Sequence, residues 1–375
     1  MKLPVIRSLR PARLALPAAA VLVALGGAAA TAATAHPGPA PARATAAIRP
    51  GSVQGLTWHA LALDSGWKSA SKASLKTGRP GWALSDGVIY LRGAVMQANP
   101  SAGDAFAMLP ATARPPHDIY RTVYSSQDVP AEVHIGHSGQ MDAYGGNSTS
   151  FTSLAAISYP TAAIGMHPLV LKNGWQSDQP IYSTGNPAYA ISRGVVYLSG
   201  SLHGGTSQLA FTLPKAARPA HQMYVLVYTL DDSFGWVRIQ PGGQVEIGGS
   251  SSSGYTSLAG ISFPVAGTTW HRFKPEAGWH SGASRFGTAS PSYAAVNGVV
   301  YLDGSIYQAG GSTGLWTSIP AAARPVDVLE IEVYTANGTA GAVAMTDSLG
   351  LVSSMPFSNA QQFTSLAGIA YPPGS

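Results

Sequence analysis

The sequence predicts an all-β fold of three tandem antiparallel domains of the β-sandwich or jelly-roll type. A unit of about a hundred residues occurs three times in the chain of 375 residues. Within each unit, apolar and polar residues alternate in the manner of half-buried strands, and glycine and proline interrupt the unit about every 8–12 residues. Internal repetition of this kind indicates structural units that pack against one another.

The predicted repeats span residues 57–160, 165–264 and 269–372, called repeats 1, 2 and 3 below. Each repeat has the same landmarks in the same order: Gly-Trp, an apolar strand ending in Tyr-Leu, Ala-Arg-Pro, a Val-Tyr pair, Thr-Ser-Leu-Ala and an aromatic-Pro. Residues present in all three copies are expected to serve the unit itself. The linkers 161–164 and 265–268 are short, which predicts that neighbouring repeats lie close together.

The first 35 residues are predicted to be a secretory signal peptide. Four basic residues precede an apolar stretch, Leu14–Leu25, and Ala33-Thr34-Ala35 has the form of a cleavage site. The apolar stretch is short for a membrane span, although an uncleaved anchor is the alternative. Residues 36–56 are rich in Pro and Ala and are predicted to be a flexible spacer. We therefore expect a secreted protein with no membrane span after cleavage.

Charge and composition exclude several classes of protein. The chain has 22 Lys and Arg residues, 17 Asp and Glu residues and no cysteine. Four of the basic residues belong to the predicted leader, so the remainder is nearly neutral and lacks the basic surface of a nucleic-acid binder. Without cysteine, the chain has neither disulfides nor thiolate metal sites, and no cofactor is predicted. The low charged fraction, 10%, argues against long exposed helices.

The strand pattern also predicts which side chains face solvent. In repeat 3, Leu329, Ile331 and Val333 alternate with Glu330 and Glu332, as in a strand with one solvated face. The apolar strand has Tyr90, Tyr197 or Tyr301 on one face, and the next residue on that face is Arg92, Ser199 or Asp303. A position that accepts these three side chains is expected to be solvated. The tyrosine face is therefore predicted to point outward.

The motifs of the second copy are the most complete, in Gly194–Gly200, Leu213–Pro219 and Ser257–Pro264. In this order they resemble the C-terminal head domains of phage tail-fibre and receptor-binding proteins, and the resemblance extends over all three copies. It implies compact antiparallel β-modules that assemble as trimers and bind cell-surface saccharides or proteins. Three heads in one chain would then form a single-chain pseudo-trimer. A signal peptide and tandem heads depart from that family, and fold-level analogy does not establish function.

No catalytic constellation is apparent in the sequence. Paired carboxylates are needed for glycoside hydrolysis, yet no acid recurs in all three copies: Asp86, for example, aligns with Arg193 and Asn297. The segment Gly310–Gly314 has the spelling of a nucleophile elbow but no histidine follows it. His134 and His137 lack the glutamate of a zinc-protease helix and are expected on the surface.

Three histidines recur, each eight residues before the repeated tryptophan: His59, His167 and His271. If the repeats surround a pseudo-threefold axis, these imidazoles could meet there and bind Zn or Ni. The alternative is a strand histidine at the domain edge, which the packing role of most repeated residues favours. The tryptophans Trp67, Trp175 and Trp279 are interpreted as core anchors rather than sugar platforms.

Candidate ligand-binding residues are Tyr90, Tyr197 and Tyr301, because their strand face is predicted to be solvated. Variable loops on a repeated scaffold are the other candidates. The loops are 94–105, 201–209 and 305–315, together with 145–150, 248–254 and 355–362. The sequence thus predicts a secreted, non-enzymatic protein that binds a surface carbohydrate or another cell-surface partner, as a monomer with pseudo-threefold repeats. A structural component of an extracellular assembly and a hydrolase with its site in one copy are the alternatives.

Overall fold

The computed structural model describes residues 56–71, 75–310, 314–347, 350–354 and 359–374. Residues 51–375 form one compact unit. The predicted leader and nearly all of the predicted spacer lie outside the described residues. Within the described ranges, no helix is long and apolar enough to cross a membrane.

Each repeat contributes eleven strands in the same order, and repeats 2 and 3 add one short α-helix each. In repeat 1 the strands are β1 (His59–Ala60), β2 (Trp67–Ser69), β3 (Gly81–Ser85), β4 (Val88–Arg92), β5 (Ala94–Gln97), β6 (Ala105–Met108), β7 (Ile119–Ser125), β8 (Val129–Ile135), β9 (Gln140–Tyr144), β10 (Thr152–Ser153) and β11 (Ser158–Pro160). In repeat 2 the elements are β12 (His167–Pro168), β13 (Gln176–Ser177), α1 (Gln179–Tyr182), β14 (Ala188–Ser192), β15 (Val195–Ser199), β16 (Ser201–His203), β17 (Leu209–Thr212), β18 (Met223–Thr229), β19 (Ser233–Ile239), β20 (Gln244–Gly248), β21 (Thr256–Ser257) and β22 (Ser262–Pro264). In repeat 3 they are β23 (His271–Arg272), β24 (Trp279–Ser281), α2 (Ala283–Phe286), β25 (Ser292–Val296), β26 (Val299–Asp303), β27 (Ser305–Gln308), β28 (Leu315–Ser318), β29 (Leu329–Thr335), β30 (Thr339–Met345), β31 (Leu351–Ser354), β32 (Thr364–Ser365) and β33 (Ala370–Tyr371).

The strands of each repeat form a four-stranded and a seven-stranded sheet. In repeat 1 the orders are β1-β3-β4-β11 and β2-β5-β10-β7-β8-β9-β6, and the other two repeats have the same orders. Neighbouring strands are antiparallel, as in the pairs β3–β4 and β7–β8. In repeat 1, Ile89 and Leu91 of the small sheet share a core with Phe106 and Val133 of the large sheet. The predicted fold class, three tandem antiparallel β-domains, is confirmed.

Two sequence landmarks have a local structural explanation. A 3₁₀ turn ends at the alanine of Ala-Arg-Pro, and the Nε of the arginine that follows donates to the carbonyl of the preceding aliphatic residue, as from Arg218 to Leu213 at 3.1 Å. The glycine after Tyr-Leu-x has a positive φ, 85° at Gly200, and a Cβ there would lie 2.5 Å from the Asn186 carbonyl oxygen. Only glycine accepts both the backbone conformation and the close approach.

The repeated Thr-Ser-Leu-Ala turn joins each repeat to its neighbour. Ala259 of repeat 2 belongs to the core of repeat 1, and Ala367 of repeat 3 belongs to the core of repeat 2. In repeat 1, Ala155 of this turn packs against the core of repeat 3, and the next residue, Ala156, belongs to that core. The three contacts run in one direction around the molecule and close on themselves. The repeats therefore form a ring rather than a linear array.

The β4, β15 and β26 strands meet inside this ring. Their alternate residues form one apolar cluster contributed by all three repeats: Val88, Tyr90, Val195, Tyr197, Val299, Tyr301 and Ala370. The tyrosines are 5%, 4% and 2% exposed. The prediction that the tyrosine face points outward is wrong, because the other two repeats cover that face.

The position that carries Arg92, Ser199 or Asp303 lies between repeats and is not simply solvated. Arg92 approaches Asp327 of repeat 3 at 3.9 Å, and Asp303 approaches His221 of repeat 2 at 4.0 Å. At two of the three copies, the side chain at this position therefore has a partner in a neighbouring repeat.

The tips of the first hairpins also meet. Arg193 of repeat 2 lies 2.6 Å from Asp86 of repeat 1, and Asn297 of repeat 3 donates to the Arg193 carbonyl at 3.0 Å. Aligned residues that differ in charge thus contact one another around the ring.

Candidate functional site

The long strands β7, β18 and β29 contact one another inside the ring. Each strand presents one polar or aromatic face to its neighbours and packs the opposite face into its own core. Period-two alternation correctly predicts the β29 strand, but its predicted solvated face is wrong, since Glu330 is only 8% exposed. The acids Glu132 and Asp142 are buried as well. These faces form three equivalent interfaces, named by their repeats: 1–2, 2–3 and 3–1.

Interface 2–3 is lined by aromatic side chains. Tyr224 stacks on Tyr334 with ring centroids 5.2 Å apart and an angle of 12° between the rings. Phe363 packs edge-on against both tyrosines, and Phe286 packs edge-on against Phe363 at 4.7 Å. Trp236 lies 6.5 Å from each tyrosine. The aromatic rings therefore form a continuous row from α2 to β19.

This row forms the floor of two adjoining hollows, together called the aromatic groove. Their volumes are about 440 Å³ and about 700 Å³, and Tyr334 and Asn337 line both. Tyr224, Tyr334 and Trp236 are half-buried, so part of each ring remains accessible. Accessible rings with a few polar groups around them are typical of small-molecule sites.

Polar groups stand along the edges of the aromatic groove. Asp232, Ser250 and Thr339 line one hollow, and Arg285 and Gln362 line the other. The Arg285 guanidinium lies over the Phe286 ring at 5.2 Å and over Tyr307 at 4.9 Å. Both partners hold it by cation–π contact at the end of the groove.

Local structure fixes the ends of this groove. Helix α2 ends at Gly287, whose φ of 70° lets its N–H return to the Ala283 carbonyl, and this turn places Phe286. Gln222 donates to the Phe286 carbonyl at 2.9 Å and holds the helix against repeat 2. Asn337 is in the left-handed region, with φ of 60°, at the tip of the β29–β30 hairpin. The tip thereby reaches the neighbouring repeat beside Trp236.

Interface 1–2 is also built from tyrosine rings. Tyr120 stacks on Tyr228 at 5.7 Å, and Tyr182 and Tyr255 pack edge-on against them. Beside these rings, Glu132 faces Tyr228 and Asp232. Burial, reinforced by Asp232, raises the pKa of Glu132 to about 8. This carboxyl group retains its proton under conditions where most glutamates have lost theirs.

His134 belongs to the same interface and is not the surface residue predicted from the sequence. Its ring stacks on Tyr120 at 4.5 Å, its Nδ1 lies 3.1 Å from Asp142, and its Nε2 lies 3.5 Å from Asp118. His137 is exposed, and its Nδ1 approaches Asp118 at 2.6 Å. Both histidines therefore approach the Asp118 carboxylate, His134 from β8 and His137 from the turn that follows this strand.

Interface 3–1 has a carboxylate where the other two have a stacking tyrosine. Glu330 occupies the strand position of Tyr120 and Tyr224, and Tyr124 occupies that of Tyr228 and Tyr334. Tyr124 and Phe151 contact each other edge-on at 5.9 Å. With Glu330 they line a hollow of about 260 Å³, called the acidic hollow.

The other residues singled out in the sequence lie elsewhere. Trp67, Trp175 and Trp279 are 6%, 6% and 4% exposed, in agreement with a core role. The tyrosines Tyr90, Tyr197 and Tyr301 are enclosed by the ring, so they offer no exposed ligand face. The structure does not bring them into any of the three interfaces described above.

The repeated histidines lie on edge strands and are exposed. His59 stacks on Trp82 at 4.5 Å, while His167 and His271 pack against Tyr189 and Tyr293. No group of three metal-ligating side chains occurs in the part of the chain that the structure describes. The imidazoles therefore do not meet on an axis, and they occupy domain edges instead.

The predicted variable loops are only partly loops. Their first residues in three cases form the strands β5, β16 and β27. Ser250 and Gln362, from two of these loops, reach the aromatic groove. Residues 311–313 of the Gly310–Gly314 segment and residues 355–358 of the last loop lie outside the described residues.

Sequence reasoning missed the aromatic groove. Tyr334 belongs to the repeated Val-Tyr pair, but its stacking partner, Tyr224, lies four residues before the tyrosine of that pair in repeat 2, at a position that holds Glu330 in repeat 3. Tyr224 and Tyr228 share one strand face because they are four residues apart. That same-face spacing was the signal available in the sequence.

Comparison with protein-family models, with curated proteins and with solved structures finds no match to this chain.

Proposed function

We propose that this chain is a secreted, non-enzymatic binding protein that recognises a surface carbohydrate, and that the sugar occupies the aromatic groove. The observation that carries the proposal is the row of half-exposed rings, from Phe286 through Tyr334 to Trp236, with amide and hydroxyl groups along its edges. Aromatic faces accept the apolar C–H faces of sugar rings, and polar side chains at the edges can bond to hydroxyl groups.

The length of the groove favours an oligosaccharide over a single sugar. Its two hollows adjoin at Tyr334 and Asn337, and each has its own aromatic wall. Two sugar units could stack on successive rings, while Asn337 bonds to both. These residues belong to strands, a helix and a hairpin tip of two packed repeats, which limits the ordering required on binding.

Export is supported by the predicted leader, and a cell-surface target is in keeping with the resemblance to phage receptor-binding heads. Export and a cell-surface target are both parts of the proposed function. Glycans on a cell surface are the ligands that such an exported protein would encounter.

The test is a screen of the full chain on an array of glycans and cell-wall polysaccharides, followed by calorimetric titration of the best ligand. Saturable binding to one class of glycan is expected. Trp236→Ala should weaken it about tenfold or more, because a stacking platform is lost. Trp82→Ala is the matched control, since this half-buried tryptophan lies in the small sheet of repeat 1.

Two outcomes would count against the proposal. A folded protein that binds no glycan would remove carbohydrate recognition. Glycan binding that is equal in the wild type and in Trp236→Ala would move the site away from the aromatic groove.

A further inference from the structure

We propose that the acidic hollow at interface 3–1 is a second binding site and takes an organic ammonium group, the cationic head of an alkylamine or a quaternary amine. This site is separate from the aromatic groove. Its ligand would carry a positive charge, whereas the sugar proposed for the groove is uncharged. Its lining differs from the equivalent positions of the other two interfaces.

A ring is missing at this interface. Tyr228 has Tyr120 stacked on it, and Tyr334 has Tyr224 stacked on it. The equivalent partner of Tyr124 is Glu330, a smaller and acidic side chain. The hollow at interface 3–1 thus has an aromatic ring on one side and, where the hollow at interface 2–3 has Tyr224, a carboxyl group on the other.

Glu330 is buried without a partner. It is 8% exposed, lines the hollow, and makes no hydrogen bond or ion pair with any residue that the structure describes. A buried carboxylate normally has a cation or several donors around it. A ligand that brings a positive charge into the hollow would supply the missing partner.

The remaining surroundings also favour a cation. Asp128 accepts a hydrogen bond from the Tyr124 hydroxyl at 2.8 Å and adds a second negative charge beside Glu330. Both carboxylate oxygens of Glu332, on the same strand face, are shielded from solvent and lack hydrogen-bond partners among the described residues. Among the residues that the structure describes, none that lines the hollow carries a positive charge.

The aromatic and apolar walls select an organic ammonium over a hydrated metal ion. Tyr124 and Phe151 present rings, and Leu75 and Met96 complete an apolar floor. Rings of this kind attract ammonium groups through their quadrupoles and pack against attached methyl or methylene groups. No group of three metal ligands is found among the described residues. The hollow therefore combines a carboxyl group that favours a cationic ligand with aromatic and apolar walls that can pack against methyl or methylene groups.

The test is calorimetric titration of the full chain with choline, n-butylammonium and 3,3-dimethyl-1-butanol, the uncharged analogue of choline. Burial and Asp128 raise the pKa of Glu330 to about 7. Titrations are therefore run at about pH 8.5, where the Glu330 carboxyl group is ionised. We expect one or both ammonium compounds to bind and the neutral alcohol to bind at least about tenfold more weakly. The comparison of choline with butylammonium shows which type of ammonium the hollow prefers.

Substitutions locate the binding. Glu330→Gln keeps the size of the side chain and should weaken ammonium binding about tenfold or more. Glu330→Tyr places here the residue found at the other two interfaces and should also weaken ammonium binding, because the carboxyl group is lost. The matched control is Glu276→Gln, because Glu276 is exposed in the same repeat. Circular dichroism and thermal unfolding establish that each variant is folded.

Three results would overturn the proposal: equal binding of choline and its neutral analogue, unchanged binding by Glu330→Gln, or no ammonium binding at all. Lys72 lies outside the described residues, and Lys72→Gln tests whether this chain supplies its own cation. Binding that occurs only in Lys72→Gln would show an internal counter-ion and would also overturn the proposal.

Discussion

Single residues at equivalent positions of the three repeats have different roles because their neighbours differ. Tyr120, Tyr224 and Glu330 occupy one strand position, yet the first two stack on a tyrosine of the next repeat and the third faces an open hollow. The sequence identifies the position as equivalent in each copy. What the side chain does there depends on the repeat it faces.

The buried acids make the stability of the ring depend on pH. The pKa of Glu132 is raised by burial and by Asp232 to about 8, and that of Glu330 by burial and by Asp128 to about 7, from an ordinary 4.5. A raised carboxyl pKa means that the unfolded chain releases its proton first. The contribution of these two carboxyl groups to the stability of the folded protein is therefore complete below about pH 4.5. It is lost as the pH rises through their pKa values in the folded protein.

We expect the free energy of unfolding to fall between about pH 4.5 and pH 8, by at most about 1.4 kcal/mol per pH unit for each such carboxyl group. Glu132→Gln should flatten this decline, because the amide has no proton to lose. Urea denaturation at a series of pH values measures the slope, with the exposed Glu276→Gln as control. Parallel slopes for the wild type and Glu132→Gln would show that Glu132 is not the group responsible.

At the scale of elements, the Thr-Ser-Leu-Ala turn connects the repeats. The Ala259 carbonyl accepts a hydrogen bond from Arg121 of repeat 1 at 3.2 Å, and the Ser365 hydroxyl donates to the Tyr224 carbonyl at 2.6 Å. The turn recurs in the sequence because each copy completes the core of a neighbour. Repetition alone could not distinguish this role from a turn that serves its own repeat.

Ala259→Glu should destabilise the protein by roughly 3 kcal/mol, because it forces a larger, charged side chain into the packed core of repeat 1. Ala295→Glu on the exposed side of β25 is the matched control and should stay within about 0.5 kcal/mol of the wild type. Chemical denaturation followed by tryptophan fluorescence measures both. Equal stability of the two variants would mean that the turn contributes little to the contact between repeats.

At the scale of the whole molecule, the repeats form a closed ring in which each core contains an alanine from the next repeat. The cluster of Val88, Tyr90 and their equivalents belongs to no single repeat. A ring of this kind is expected to unfold as one unit, since opening one interface exposes apolar surface on two repeats.

Residues 165–264 expressed alone should therefore not form a folded monomer. The isolated repeat 2 would expose Val195 and Tyr197 and would lack Ala367 in its core. We expect it to be unfolded or to self-associate through these surfaces. Circular dichroism and sedimentation velocity test this, with the full chain as reference. A monomer with a cooperative unfolding transition would show that the ring is not required for folding.

The sequence by itself determined the repeated unit, the all-β class and many of the strands, since β4 and β29 follow from local alternation and β-branched content. It also marked the glycines and the Ala-Arg-Pro corner, because these depend on backbone conformation within a few residues. Only the tertiary structure decided which faces are buried. A period-two pattern separates the two faces of a strand, but a polar face looks the same in sequence whether it meets water or a neighbouring repeat. For that reason the sequence places Tyr90 on the surface, whereas the tertiary structure places its face, and the faces of Tyr224 and Glu330, between the repeats.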